Sequence, residues 1–129
     1  MRLTPLALLA VLPLVVSSPV GAATTTASAT VFSPNPVATL QDESLTDQKD
    51  ADYAALQAAY KTVTLTHLDG SGYLHGDYAW VDSSTGPLAT APFTYHRNDD
   101  RFEQVMAYYW ATQAQLYLQE LGFTNVNNE

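Results

Sequence analysis

The chain has 129 residues and carries 5 Lys and Arg against 13 Asp and Glu, a formal net charge of −8. A surface of that sign repels polyanions, which excludes nucleic acid and anionic membranes as partners. There is no cysteine, so thiol chemistry and disulfides are excluded too. Hydrophobic residues at 47% against charged ones at 14% point to a packed core and not to disorder.

The first element is a secretory signal. Arg2 precedes an apolar run over residues 6–16, and small residues follow at Val20-Gly21-Ala22-Ala23 and Ala27-Ser28-Ala29. Charge, apolar core and small-x-small exit occur in the order of an export signal. Pro13 interrupts the run, which is shorter than the roughly 20 residues that cross a bilayer. Exits after Ala22 and after Ala29 both fit, and either leaves one small secreted domain of roughly 100 residues, free of the membrane. Residues 1–29 are thus read as signal peptide and small-residue leader, with residues 24–30 flexible or partly removed.

Residues 30–60 read as an extended, Pro-containing and acidic segment. Pro34 and Pro36 flank Asn35, a pattern that predicts extended or turn backbone and blocks a helix. Residues 39–52 are polar and acidic. The alanines at 54, 55, 58 and 59 predict a short helix over 53–60.

From residue 61 the period changes. Val63, Leu65 and His67 alternate with Thr62, Thr64 and Thr66, which predicts a strand. Asp69-Gly70-Ser71-Gly72 predicts a turn. Residues 73–81 predict a second strand completing a β-hairpin, with Gly76 at a bulge or a close backbone approach. Residues 91–95 predict a short edge strand, because Pro92 lacks the donor a central strand needs. A helix follows over 100–121. Asp100 is its expected N-cap with Glu103 three positions on, and Gly122 its stop, with Phe123 folding back. Phe102, Val105, Met106, Tyr109, Trp110, Ala114, Tyr117, Leu118 and Leu121 form one apolar stripe at helical spacing, with Tyr108 and Leu116 outside it. The fold class is α+β: a small antiparallel hairpin or sheet followed by one long amphipathic helix. So many large apolar residues exceed what a small sheet covers, which predicts an incomplete or partner-dependent domain.

Sites of chemistry are sparse. Ser33, Ser44, Ser71, Ser83 and Ser84 lack the strand-turn-helix setting of a nucleophile. His67, His75 and His96 are candidate bases for which no partner is fixed. There is no His-Glu-x-x-His string, the spacing that puts two zinc ligands on one helix face. His67 and His75 lie on opposite arms of the hairpin beside Asp69 and Asp77. They read as a His/Asp metal site or, more simply, as exposed strand and turn residues. Asp69-Gly70-Ser71-Gly72-Tyr73 lacks the alternating oxygens of a calcium loop. Asn98, Asp99 and Asp100 read as calcium ligands or, with fewer assumptions, as helix capping. Gly70, Gly72 and Gly76 do not open a helix and form no phosphate loop. The many aromatics read as core or as a carbohydrate-binding surface, with the alternation favouring core. No catalytic, cofactor-binding or metal-ligating residue is assigned.

Several segments resemble a known family. These are Val31-Phe32-Ser33-Pro34-Asn35-Pro36-Val37, Leu45-Thr46-Asp47-Gln48-Lys49-Asp50, residues 68–78, and the block Phe102-Glu103-Gln104-Val105-Met106-Ala107-Tyr108-Tyr109-Trp110 through to Leu121-Gly122-Phe123. Together they resemble the region just upstream of the zinc motif in secreted bacterial metallopeptidases of the thermolysin and fungalysin group, over about residues 31–129. The resemblance implies a scaffold helix over 100–121 and a zinc-binding helix further along. It implies zinc, and calcium, for a full-length relative, and a missing catalytic segment or partner chain as the partner. None of the family's zinc ligands has a matching position here. The first reading is therefore an exported amino-terminal fragment that is not proteolytic alone. The second is a stand-alone exported module that binds a protein or glycan, and the third a small hydrolase with a His/Asp site.

Overall fold

Alternating threonine and apolar residues make Tyr60–Leu68 a strand, and its antiparallel partner is Thr25–Phe32. The computed structural model describes residues 25–125. In chain order these contain β1 (Thr25–Phe32), α1 (Pro36–Leu40), short 3-10 segments at Gln48–Asp50 and Ala54–Ala59, β2 (Tyr60–Leu68) and α2 (Arg101–Glu120). The class is mixed α+β, with a two-stranded antiparallel sheet and one long helix. The expected signal core and both of its flanks up to residue 24 lie outside the described residues.

The pairing differs from the expected hairpin. Thr25 to Ala29, read as leader, are the first five residues of β1. Ala29 and Val31 are fully buried and share a core with Leu65, Leu74, Phe93, Val105 and Tyr108. Of the small residues at 27–29, Ala29 is enclosed in this core and Ala27 packs partly buried against it, which a small side chain allows. Residues 73–81 do not form a continuous strand. They make isolated bridges, Leu68 to Gly76 and His75 to Trp80. The expected edge strand reduces to one parallel bridge: Phe93 N–H donates to the Ser28 carbonyl (3.1 Å), and Thr30 N–H donates to the Phe93 carbonyl (3.0 Å). β1 is thus flanked on both sides.

A bulge ends β2. Thr25 pairs with Leu68 but Ala27 with Leu65, so Thr66 and His67 face Thr26 alone. His67 takes up the extra residue in the left-handed region, at φ 60°. The Thr66 carbonyl accepts from the Tyr108 hydroxyl of α2 (3.0 Å), and the His67 carbonyl accepts from Asp77 N–H (3.0 Å). Gly76 lies against both groups. A Cβ there would overlap the His67 carbonyl and the Tyr108 hydroxyl, so the expected close backbone approach is present.

The segment 30–60 is less extended than expected. Pro36 occupies the first turn of α1, where a missing N–H costs nothing, and Asn35 Oδ1 caps it by accepting from Ala38 N–H (2.9 Å). The expected helix over 53–60 is the 3-10 segment Ala54–Ala59, which buries Leu56 and Ala59 beside Phe32 and Phe102 in a second core cluster.

α2 spans Arg101–Glu120, close to expectation, but its capping and its stripe differ. The side chain that caps it is Asp99, whose carboxylate accepts from Arg101 N–H (3.0 Å), and the Asp100 side chain makes no capping bond. Its buried residues are Phe102, Val105, Tyr108 and Thr112, all in the first twelve positions. Tyr108, left off the expected stripe, is fully buried. Trp110, Tyr117, Leu118 and Leu121, placed on that stripe, are exposed. At about 100° per residue these four, with Ala114, form a second apolar face roughly opposite the first. The sheet is too narrow to reach it.

Candidate functional site

Two His–Asp pairs concentrate the ionisable groups. The first belongs to the bulge. His67 Nδ1 lies 3.0 Å from Asp77 Oδ2, because the left-handed turn at His67 and the backbone bond from Asp77 set the two side chains side by side. The Tyr78 ring lies against the imidazole, centroids 4.6 Å apart. The other two expected hairpin residues go elsewhere. His75 stacks on Trp80, centroids 3.7 Å apart and planes within 10°. Asp69 accepts from Ser71 N–H (2.8 Å), and hydrogen bonding from the Ser71 side chain, then from this N–H, holds its carboxyl below the usual range. The four residues weighed as a His/Asp metal site are therefore in two environments. Among the described residues no three His, Asp or Glu side chains gather as a metal centre.

The second pair joins segments far apart in sequence. His96 Nδ1 lies 3.0 Å from Asp52 Oδ2, while Asp52 Oδ1 accepts from the Tyr60 hydroxyl (2.8 Å) and from Gln57 Nε2 (2.8 Å). The His96 ring stacks on Tyr60 (4.2 Å, 18°), and Tyr60 stacks in turn on Phe32 (4.6 Å). The Tyr60 oxygen also accepts from Arg97 N–H (3.0 Å). Arg97 itself pairs with Asp47 and with Asp50 (3.1 Å). Burial pushes the Tyr60 phenol up to about 12, and the neighbouring Asp52 carboxylate adds to the rise. Burial also works to raise Asp52, but hydrogen bonds from Tyr60, His96 and Gln57 outweigh it and hold the carboxyl below its ordinary range.

A His–Asp pair resembles the base and orienting acid of a hydrolase. A nucleophile is what the arrangement lacks. Ser44 Oγ donates to Asp42 (2.6 Å), Ser71 Oγ accepts from Tyr73 N–H (3.3 Å), and Ser83 Oγ accepts from Gly86 N–H (3.2 Å). Among the described residues no serine or threonine hydroxyl bonds to a histidine. The Asp52 cluster acts as a clamp, fastening the acidic segment 47–57 to the loop before α2. Sequence reasoning named His96 but missed Asp52 and Tyr60, since no local pattern signals a pairing across 44 residues. Of Asn98, Asp99 and Asp100, Asp99 alone holds the helix start: its carboxylate accepts from Arg101 N–H and makes a two-pronged pair with the guanidinium (2.9 and 2.6 Å).

No protein-family model, curated protein or solved structure matches the chain. The functional reading therefore rests on the residues and on what they leave uncovered.

Proposed function

We propose that this chain is the scaffold region preceding the zinc site of a secreted metallopeptidase, and that it hydrolyses no peptide bond by itself. The observation that carries this reading is the second face of α2. Trp110, Tyr117, Leu118 and Leu121 are exposed along one side of the helix, and Phe123 continues them beyond Gly122. A helix apolar on opposite faces belongs between two layers. The sheet supplies one layer, and the segment carrying the zinc-binding helix supplies the other. The motif resemblance in residues 102–123 covers this same helix, and the export signal read over residues 1–29 suits a secreted enzyme.

Zinc enters only through the resemblance. The described residues form no ligand set that fits it, so its ligands belong to the docking segment. The chain's own contribution is positional: the clamp at Asp52 and His96 and the bulge at His67 hold the sheet and the start of α2 in one arrangement.

The DNA following the codon for Glu129 tests this. A His-Glu-x-x-His sequence in one of its reading frames is expected. Its polypeptide, mixed with this chain, should give casein hydrolysis that a chelator abolishes. Casein hydrolysis by this chain alone, or no such sequence in any frame, would defeat the proposal.

A further inference from the structure

The aromatic row Tyr73, His75 and Trp80 is used by neither core cluster nor by the clamp. Tyr73 and His75 are two residues apart on one face of the bridged segment, and Trp80 is the cross-strand partner of His75. Their rings lie in sequence, Tyr73 to His75 at 5.6 Å and 28°, His75 to Trp80 at 3.7 Å and 10°. Trp80 is 69% exposed, the most open large hydrophobic side chain described, and Tyr73 is 40% exposed. Burial does not explain an indole in that position. The imidazole covers one face of the ring and fixes its plane, which leaves the other face free and preorganised.

We infer that this face is a stacking platform for a neutral glycan. The C–H-rich face of a pyranose ring packs on a flat indole as another ring would, and a fixed indole loses little freedom on binding. The surroundings suit sugar hydroxyls better than an apolar protein surface. Asp69 is exposed beside His75, whose carbonyl accepts from Asp69 N–H (2.9 Å), and Asp82 is exposed two residues beyond Trp80. Both carboxylates accept hydrogen bonds from hydroxyl groups. No Lys or Arg occurs between Lys61 and Arg97, so an acidic polysaccharide would meet like charge without compensation. This site is independent of the zinc-peptidase reading and survives its failure.

The test is retention of the full exported chain on insoluble cellulose, chitin and starch, against a polygalacturonate gel. At least one neutral polymer is expected to retain it, with release by soluble oligosaccharide of the same polymer. Trp80→Ala should lower retention at least tenfold, and Trp80→Phe, which keeps a ring, should recover part of it. Circular dichroism of both variants should match the wild type. No retention on any neutral polymer, equal retention on polygalacturonate, or retention unchanged in Trp80→Ala would each overturn the inference. Retention lost in Trp110→Ala but kept in Trp80→Ala would move the contact to α2 and overturn it as well.

Discussion

Asp52 and His96, 44 residues apart, meet at 3.0 Å, and Asp52 also accepts from Tyr60 and Gln57. The carboxylate is the hub of the clamp because it is the one acceptor shared by three donors. Its carboxyl is held below the ordinary range when folded. On acidification the unfolded chain therefore takes up this proton first. The stabilisation is present above the unfolded value of about 3.9 and is lost as pH falls through the folded value. Asp52→Asn keeps an acceptor for Tyr60 but loses the charge, which should cost about 1 kcal/mol at pH 7. Thermal melts should show a midpoint lower by about 4–8 °C at pH 7. The gap should narrow toward pH 3. A gap that widens on acidification would contradict the hub role.

Gly76 and Tyr108 are coupled through the bulge. Gly76→Ala puts a methyl into the His67 carbonyl and the Tyr108 hydroxyl. Overpacking of this kind costs about 1–3 kcal/mol. Tyr108→Phe removes the hydroxyl that satisfies the Thr66 carbonyl, at about 1 kcal/mol. The double variant should be less unstable than the sum of the singles, because the phenylalanine ring removes the overlap with the hydroxyl, while the overlap with the His67 carbonyl remains. Denaturant titrations of the four proteins give the coupling. Strict additivity would mean that the hydroxyl is not what Gly76 makes room for.

What was legible in the sequence were the elements with strong local signals. Threonine alternation marked β2, the 3.6-residue period marked α2, and Gly76 marked a close approach that the structure contains. What was not legible depended on distant partners. Ala27 and Ala29 fit a processing site and a tightly packed strand equally well in sequence, and their place in the strand depends on buried neighbours distant along the chain. In sequence the stripe on α2 looks like one face, because spacings of three and four join residues 106, 109, 110 and 114 into a continuous path. Tertiary packing divides it, burying Phe102 and Val105 and leaving Tyr117 60% exposed. Asp52 and Tyr60 carry no motif at all.

The two faces of α2 should respond oppositely to substitution. Phe102 is buried in the second core cluster, and Phe102→Ala should cost about 3–5 kcal/mol, enough to unfold a domain of this size. Tyr117→Lys with Leu121→Lys touches only the exposed face. It should leave the isolated chain within about 0.5 kcal/mol of wild type. In the proposed assembly the same pair of changes should abolish docking of the zinc-bearing segment and with it the reconstituted casein hydrolysis. Unimpaired reconstitution would show that the second face is not the docking surface.

The boundary of β1 makes the last prediction, and it bears on which exit the proposed export signal would use. Residues 25–29 contribute the buried Ala29, the Ser28 carbonyl that accepts from Phe93, and pairings to Leu68, Leu65, Thr64 and Val63. A chain beginning at Ala23 retains all of them. One beginning at Thr30 loses them together, leaving three residues of β1 opposite β2 and no bridge for Phe93. The first should melt in one cooperative transition, and the second should bind a hydrophobic dye without one. If the chain is exported as proposed, a folded product would then require the exit after Ala22, since cleavage after Ala29 removes most of the strand between β2 and Phe93. Sequencing the amino terminus of the secreted protein checks this directly: an end at Ala23 agrees, and an end at Thr30 on a protein that still melts cooperatively would show that the first half of β1 is dispensable.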